Sequence, residues 1–280
     1  MKLQIKLFPL LVTLLLIFNV QNNGYAQHIA PADIEMSQEF KMPNKSFLNR
    51  IISADSKKAY FLRTNYNNIA GQLKSVIVES YDLNTLKLIE AREIDLKYQK
   101  KLRVFHDIFE VNNKFYLITS FFNSGKNKNF LFAQKLNAKF FPEKDLALIG
   151  EIDSKNEFRS GDFTIEHSRD SSKVIIYADL PTKRSENYRA KISVFDDNFD
   201  LMWDKKINLP VETKLYDRKK ILVDDKGDAY VLAKRFFDKN REAQNNLPNY
   251  EYLLEAYSEK GEKLDRYKLC LLYTSDAADE

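Results

Sequence analysis

Cysteine, tryptophan, histidine, glycine and proline are all scarce in this chain: its 280 residues include one Cys, one Trp, three His, seven Gly and seven Pro. A single cysteine excludes an internal disulfide framework and any cysteine-cage zinc site. The few glycines form no phosphate-cradling loop and no nucleophile elbow. The histidines, His28, His106 and His167, show neither His-x-x-x-His nor carboxylate–His spacing, so no metal and no cofactor is expected. Asp224-Asp225-Lys226-Gly227-Asp228 lacks the alternating ligands and distal Glu of a calcium loop and reads as a hairpin turn. No catalytic residue can be named from local motifs. No Gly/Ser- or Pro-rich linker divides the chain, which therefore reads as one domain.

Long apolar runs are also missing, with one exception at residues 7–18. Its twelve residues fall short of the roughly 20 needed to span a bilayer as a helix. Lys2 and Lys6 precede it, and the small-x-small triplet Gly24-Tyr25-Ala26 follows before Gln27, the three-part layout of a secretory signal peptide cleaved after Ala26. The expectation is export to the periplasm, the outer surface or the extracellular medium. No Cys lies near the cleavage point, which argues against a lipid-anchored bacterial lipoprotein. At the other end, Cys270-Leu271-Leu272-Tyr273-Thr274-Ser275-Asp276-Ala277-Ala278-Asp279-Glu280 resembles a translated sequencing adapter and is set apart from fold reasoning. On that reading the only cysteine is foreign and the natural protein continues further.

What is present is apolar and aromatic: 44% hydrophobic and 13% aromatic residues suffice for a large core. The net charge of +4 is too mild to imply a nucleic-acid partner. Four β-rich segments recur, Ala59-Tyr60-Phe61-Leu62, Phe115-Tyr116-Leu117-Ile118, Val174-Ile175-Ile176-Tyr177 and Ala229-Tyr230-Val231-Leu232, with starts 56, 59 and 55 residues apart. Each follows a polar turn rich in Asn, Asp, Ser or Lys, and a short strand precedes each turn. A longer loop, a third strand, a second tight turn and a fourth strand complete the unit. This order resembles a β-propeller blade, with no family fingerprint. The expected fold is all-β: a propeller-like array of four-stranded antiparallel blades, with repeats at 49–105, 106–162, 163–219 and 220–269 after a lead-in at 27–48, and incomplete at its C-terminal end. A β-sandwich, an outer-membrane barrel and a helix over residues 86–105 are the competing readings. Trp203 reads as a packing residue.

Blade topology puts the loops between second and third strands on the same face as the connections between blades. Residues 97–104, 123–129, 154–162, 181–191, 211–220 and 234–249 hold 20 Lys/Arg against 7 Asp/Glu, so this face is expected to be basic. Its candidate binding residues are Lys97, Lys100, Lys101, Arg103, Lys183, Arg184, Arg218, Lys219, Lys220, Lys234 and Arg235, with the aromatic pairs Phe121/Phe122 and Phe236/Phe237 beside them. The implied partner is an acidic glycan, an anionic lipid headgroup or an acidic protein surface. The function expected first is an exported non-enzymatic binding or scaffold module contacting such a partner. The alternative is a propeller-type polysaccharide hydrolase or lyase, whose active residues would gather from several blades and leave little local trace.

Overall fold

Polar turns set the pairing of the strands. Asn112 and Asn113 both take positive φ (48° and 57°), the conformation of a two-residue hairpin whose twist matches its strands. At five other turns the leading residue is Asp55, Asp82, Asn137, Asp196 or Asp224, and its side-chain oxygen accepts backbone N–H groups two to four residues onward. These donated N–H groups hold the Asp55 and Asp82 carboxyls below the usual carboxylate range.

The structure, a computed structural model, describes residues 46–66, 73–238, 243–244, 247–259 and 263–269. Blade one is β1 (Ser46–Ala54), β2 (Lys58–Tyr66), β3 (Leu73–Asp82) and β4 (Leu88–Glu93). A short hairpin, β5 (Lys97–Tyr98) and β6 (Lys101–Leu102), leads into blade two: β7 (Val104–Val111), β8 (Lys114–Asn123), β9 (Lys128–Leu136) and β10 (Pro142–Asp153). Blade three is β11 (Asp162–His167), β12 (Lys173–Asp179), β13 (Asn187–Asp196) and β14 (Leu201–Glu212). Blade four is β15 (Tyr216–Val223), β16 (Ala229–Phe236), β19 (Tyr250–Tyr257) and β20 (Lys263–Leu269), with the hairpin β17 (Ala243–Gln244) and β18 (Leu247–Pro248) in its long loop. Each blade is a four-stranded antiparallel sheet in sequence order.

The first strands pack side by side, β1 on β7, β7 on β11 and β11 on β15, so they form the inner wall of a propeller ring. The all-β propeller expectation therefore holds. Residues 86–105 carry β4, β5, β6 and the start of β7 instead of a helix. The expected signal peptide, most of the lead-in and the adapter-like tail lie outside the described residues.

The core lies between blades. Ile108 and Leu117 meet Leu62, Val76 and Val78 across the first interface, Phe109, Leu131 and Ala133 meet Phe163, Val174 and Ile176 across the second, and Ile175, Tyr177 and Ile192 meet Ile221, Val231 and Tyr257 across the third. Alternation along each strand supplies both faces of a sheet, which the second and third blades bury on two sides. Trp203 is buried in the third interface and donates its indole N–H to the Gly227 carbonyl at 3.0 Å, the packing role expected of it.

Between the inner strands, polar side chains link neighbouring blades at the repeat spacing. Arg50 donates to Asp107 (2.6 Å) and Ser53 to Glu110, while Arg218 donates to Thr164 (2.8 Å) and Lys220 to Glu166. The register shifts between Leu48 and Arg50, Phe105 and Asp107, and Arg218 and Lys220, leaving Asn49, His106 and Lys219 as the extra residue of a bulge in three inner strands. Such bulges re-aim side chains at a rim.

Candidate functional site

The entry to the inner strand of blade three is tightly built. Ser154 donates its hydroxyl to the carbonyls of Asn156 and Arg159 (both 2.9 Å), and Asn156 Oδ1 accepts the Phe158 N–H (2.8 Å), closing a short 3-10 turn over Glu157–Arg159. Gly161 follows with φ +76°. A Cβ there would lie 2.4 Å from the Asp179 carbonyl oxygen, so only glycine lets the two backbones approach this closely.

That approach places Asp162 directly opposite Asp179 in the β11–β12 ladder. Side chains of residues directly opposite each other share one face of the sheet, with Cβ atoms about 4.5–5.5 Å apart. The two carboxylates differ in surroundings. Asp162 is exposed and accepts the Phe163 N–H at 2.9 Å. Asp179 is half-buried: Arg218 donates to its Oδ2 at 2.8 Å, and the buried Tyr188 hydroxyl donates to Oδ1. The Arg218 guanidinium also lies 4.8 Å above the Tyr177 ring. Burial works against its charge, but Asp179 beside it holds the guanidinium pKa above its ordinary value. Burial pushes the Tyr177 and Tyr188 hydroxyls up, so both stay protonated and Tyr188 keeps the proton it donates.

Both carboxylates line an open groove of about 610 Å³ that also receives Glu157, Phe158, Lys183 and Glu186. Phe158 is 96% exposed, an aromatic ring standing free at the groove's edge. On the blade-two side, His106 sits within electrostatic reach of Asp162 and meets Ser120 Oγ through Nε2 at 2.9 Å. Burial lowers its pKa from the ordinary 6.5. Among the described residues no cluster of three or more His, Cys, Asp or Glu is arranged to hold a metal ion, and no helix is long and apolar enough to cross a membrane.

The basic residues expected as one face are distributed differently. Arg218, Lys219 and Lys220 are on the inner strand β15, where they pair with Asp179, Asp217 and Glu166. Lys234 and Arg235 belong to β16; Arg235 pairs with Glu251, and Lys234 is buried over the Tyr250 ring at 3.6 Å. Lys183 pairs with Glu186 beside Arg184. Phe236 is buried, whereas Phe237 is exposed. Lys97, Lys100, Lys101 and Arg103 gather around the β5–β6 hairpin, and Lys101 lies 4.7 Å from the Phe121 ring, with the half-buried Phe122 next in β8.

Asp162 and Asp179 were not legible as a pair from any motif. A register count would have found them: the turn that sets His167 opposite Val174 sets Asp162 opposite Asp179 five steps outward.

No family model and no curated protein matches the chain. Among solved structures it is similar to a single-substitution mutant of the GH43 protein BlXynB from Bacillus licheniformis (10% identity, TM-score 0.33, covering 75% of this chain and 41% of that one). It is also similar to an exo-β-1,3-galactanase from Clostridium thermocellum (12%, 0.35, 72% and 44%) and to an α-L-arabinanase from Penicillium chrysogenum complexed with arabinobiose (12%, 0.40, 80% and 71%). The chain thus spans under half the length of the first two. Two of these proteins are named as a galactanase and an arabinanase, and the expectation of a non-enzymatic binding or scaffold module is corrected on the geometry of the site itself. The physical reason lies in the groove: much of the cationic charge that suggested a docking face is neutralised within the fold, and a carboxylate pair occupies the cleft.

Proposed function

We propose that this chain is the blade array of an exported polysaccharide-cleaving enzyme, a glycoside hydrolase whose carboxylate pair is Asp162 and Asp179. The observation that carries this reading is their direct opposition on one sheet face, inside an open groove with a free aromatic ring. Glycosidic bond cleavage needs one carboxyl group to protonate the leaving oxygen and a second on the other side of the bond to stabilise or attack the anomeric carbon. Asp162, exposed to the groove, is the proton donor. Asp179, oriented by Arg218 and Tyr188, faces the anomeric centre, and these two residues act as positioning residues. Directly opposed positions, whose Cβ atoms lie about 4.5–5.5 Å apart, suit the closely spaced carboxyl pair of retaining enzymes better than the wider pair that admits a water between the groups. Phe158 supplies a flat apolar surface for a sugar ring, and the openness of the cleft suits a polymer. A hydrolase is favoured over a lyase because a pair of carboxylates, rather than a lone base, lines the groove. Export rests on the N-terminal leader pattern.

The experiment is release of reducing ends from a glycan panel that includes arabinan and β-1,3-galactan, the substrates suggested by the names of the similar structures. The chain is compared with Asp162→Asn and Asp179→Asn. Loss of at least 100-fold in both folded variants supports the assignment. Undiminished cleavage in either variant overturns it.

A further inference from the structure

We infer that blade two carries a separate binding site for an acidic sugar residue, carboxylated or sulfated, in the cavity beneath the β5–β6 hairpin. The cavity measures about 390 Å³, and no carboxylate lines it. Its walls combine the aromatic rings of Tyr98, Phe121 and Phe130 with three cations, Lys101, Arg103 and Lys126.

No carboxylate among the described residues contacts the charge at this site. Among the described residues, none of the three cations has an ion-pair partner. By contrast Lys183, Arg218, Lys219, Lys220 and Arg235 are each paired within the fold. Arg103 is the strongest sign. Its residue is only 4% exposed, yet its guanidinium donates only to neutral groups, the Leu96 carbonyl (3.2 Å) and Thr119 Oγ1 (3.0 Å), beside the Tyr98 ring at 5.5 Å. Burial pulls its pKa down, offset in part by the charge of Asp95, which makes no ion-pair contact with it and turns its Oδ1 to the Lys97 N–H (2.8 Å). A buried guanidinium without a contacting carboxylate is costly, and an anion supplied by a ligand would satisfy it.

Gln99 and Lys100 both take positive φ (49° and 67°), the same two-residue hairpin geometry as Asn112-Asn113, and this turn sets Tyr98 opposite Lys101 above the cavity. Lys101 and Lys126 lie over the Phe121 and Phe130 rings at 4.7 and 5.7 Å, so each cation is held beside an aromatic face. A ligand matching this lining has an apolar ring face to stack and an anionic group on its edge, which describes a uronate or a sulfated pyranose. A lipid headgroup lacks the ring face at that depth, and an acidic peptide lacks both the ring and its rigidity.

The test is isothermal calorimetry of the full chain with an oligogalacturonate and a sulfated oligosaccharide, set against a neutral galactan oligomer, polyglutamate and phosphatidylserine vesicles. Because it reads binding, its outcome is separate from that of the cleavage experiment. The expected result is salt-sensitive binding of at least one acidic oligosaccharide, with no binding to the neutral one. Lys101→Glu with Lys126→Glu should weaken it at least 10-fold. Phe121→Leu should weaken it about 5-fold without changing the salt dependence, because the ring and not the charge is lost. Absence of binding to both acidic oligosaccharides overturns the proposal. So does equal or tighter binding to polyglutamate or vesicles, or affinity that survives the charge reversals in folded protein.

Discussion

Replacing Arg218 with Met removes the one cation among the described residues that pairs with the proposed carboxylates, while keeping most of the side chain's apolar bulk. Arg218 and Asp179 have side-chain exposures of 16% and 29%, with the Nη2–Oδ2 contact at 2.8 Å. Breaking a fully buried ion pair from one side costs about 3–5 kcal/mol, and an exposed pair contributes about 0–1. Their intermediate exposure places the loss near 2 kcal/mol, and removal of the cation from the Tyr177 face adds up to about 1. A total of about 2–3 kcal/mol corresponds to a fall in Tm of about 4–12 °C for a domain of this size. The assay is urea unfolding of the parent chain, Arg218→Met, Asp179→Asn and the double variant. With Asp179 already neutral, Arg218→Met should cost at least about 1 kcal/mol less than it does in the parent, since no unpaired carboxylate remains. Equal costs in the two backgrounds, within about 0.5 kcal/mol, would refute the claim that Arg218 acts through Asp179.

Two other outcomes follow from the same region. Gly161→Ala forces a Cβ against the Asp179 carbonyl at a φ that alanine resists, so stability should fall by about 2–4 kcal/mol and cleavage by at least about 10-fold. Unchanged unfolding in urea would contradict the close approach. His106 has a folded pKa depressed by burial below its ordinary 6.5, so the unfolded chain binds the proton more readily. The neutral form's stabilisation is complete above that value and declines as pH falls below it toward the folded pKa. Thermal melts from pH 7.5 to 5 should show this decline lessened in His106→Gln, and an identical slope in both proteins would rule it out.

The blades were readable because the physics that sets them is local. Asn112-Asn113 and the Asp-led turns fix hairpin geometry within a few residues, and the apolar segments from Ala59, Phe115, Val174 and Ala229 repeat at nearly constant spacing. The site was not readable, because its parts meet only through register. Asp162 reads as a loop residue and Asp179 as a strand end, and their meeting depends on a ladder counted from a turn five residues away. Segment charge does not separate loop from inner strand: Arg218 and Lys220 fall in the polar stretch 211–220, but β15 begins at Tyr216 and turns them toward Asp179 and Glu166 on the neighbouring blade. Lys101 and Arg103 remained available because no acidic residue of β7 or β8 comes within ion-pair distance of them, a fact of three dimensions that composition does not carry.

The central claim is that Asp162 and Asp179 work as a glycoside-cleaving pair, and the anomeric configuration of the first product tests it most directly. Following cleavage of a susceptible glycan by proton NMR should show release of sugar with retained configuration, abolished by Asp162→Asn and by Asp179→Asn while the fold persists. Cleavage with inverted configuration, cleavage indifferent to both substitutions, or no cleavage of any glycan in the panel would contradict it.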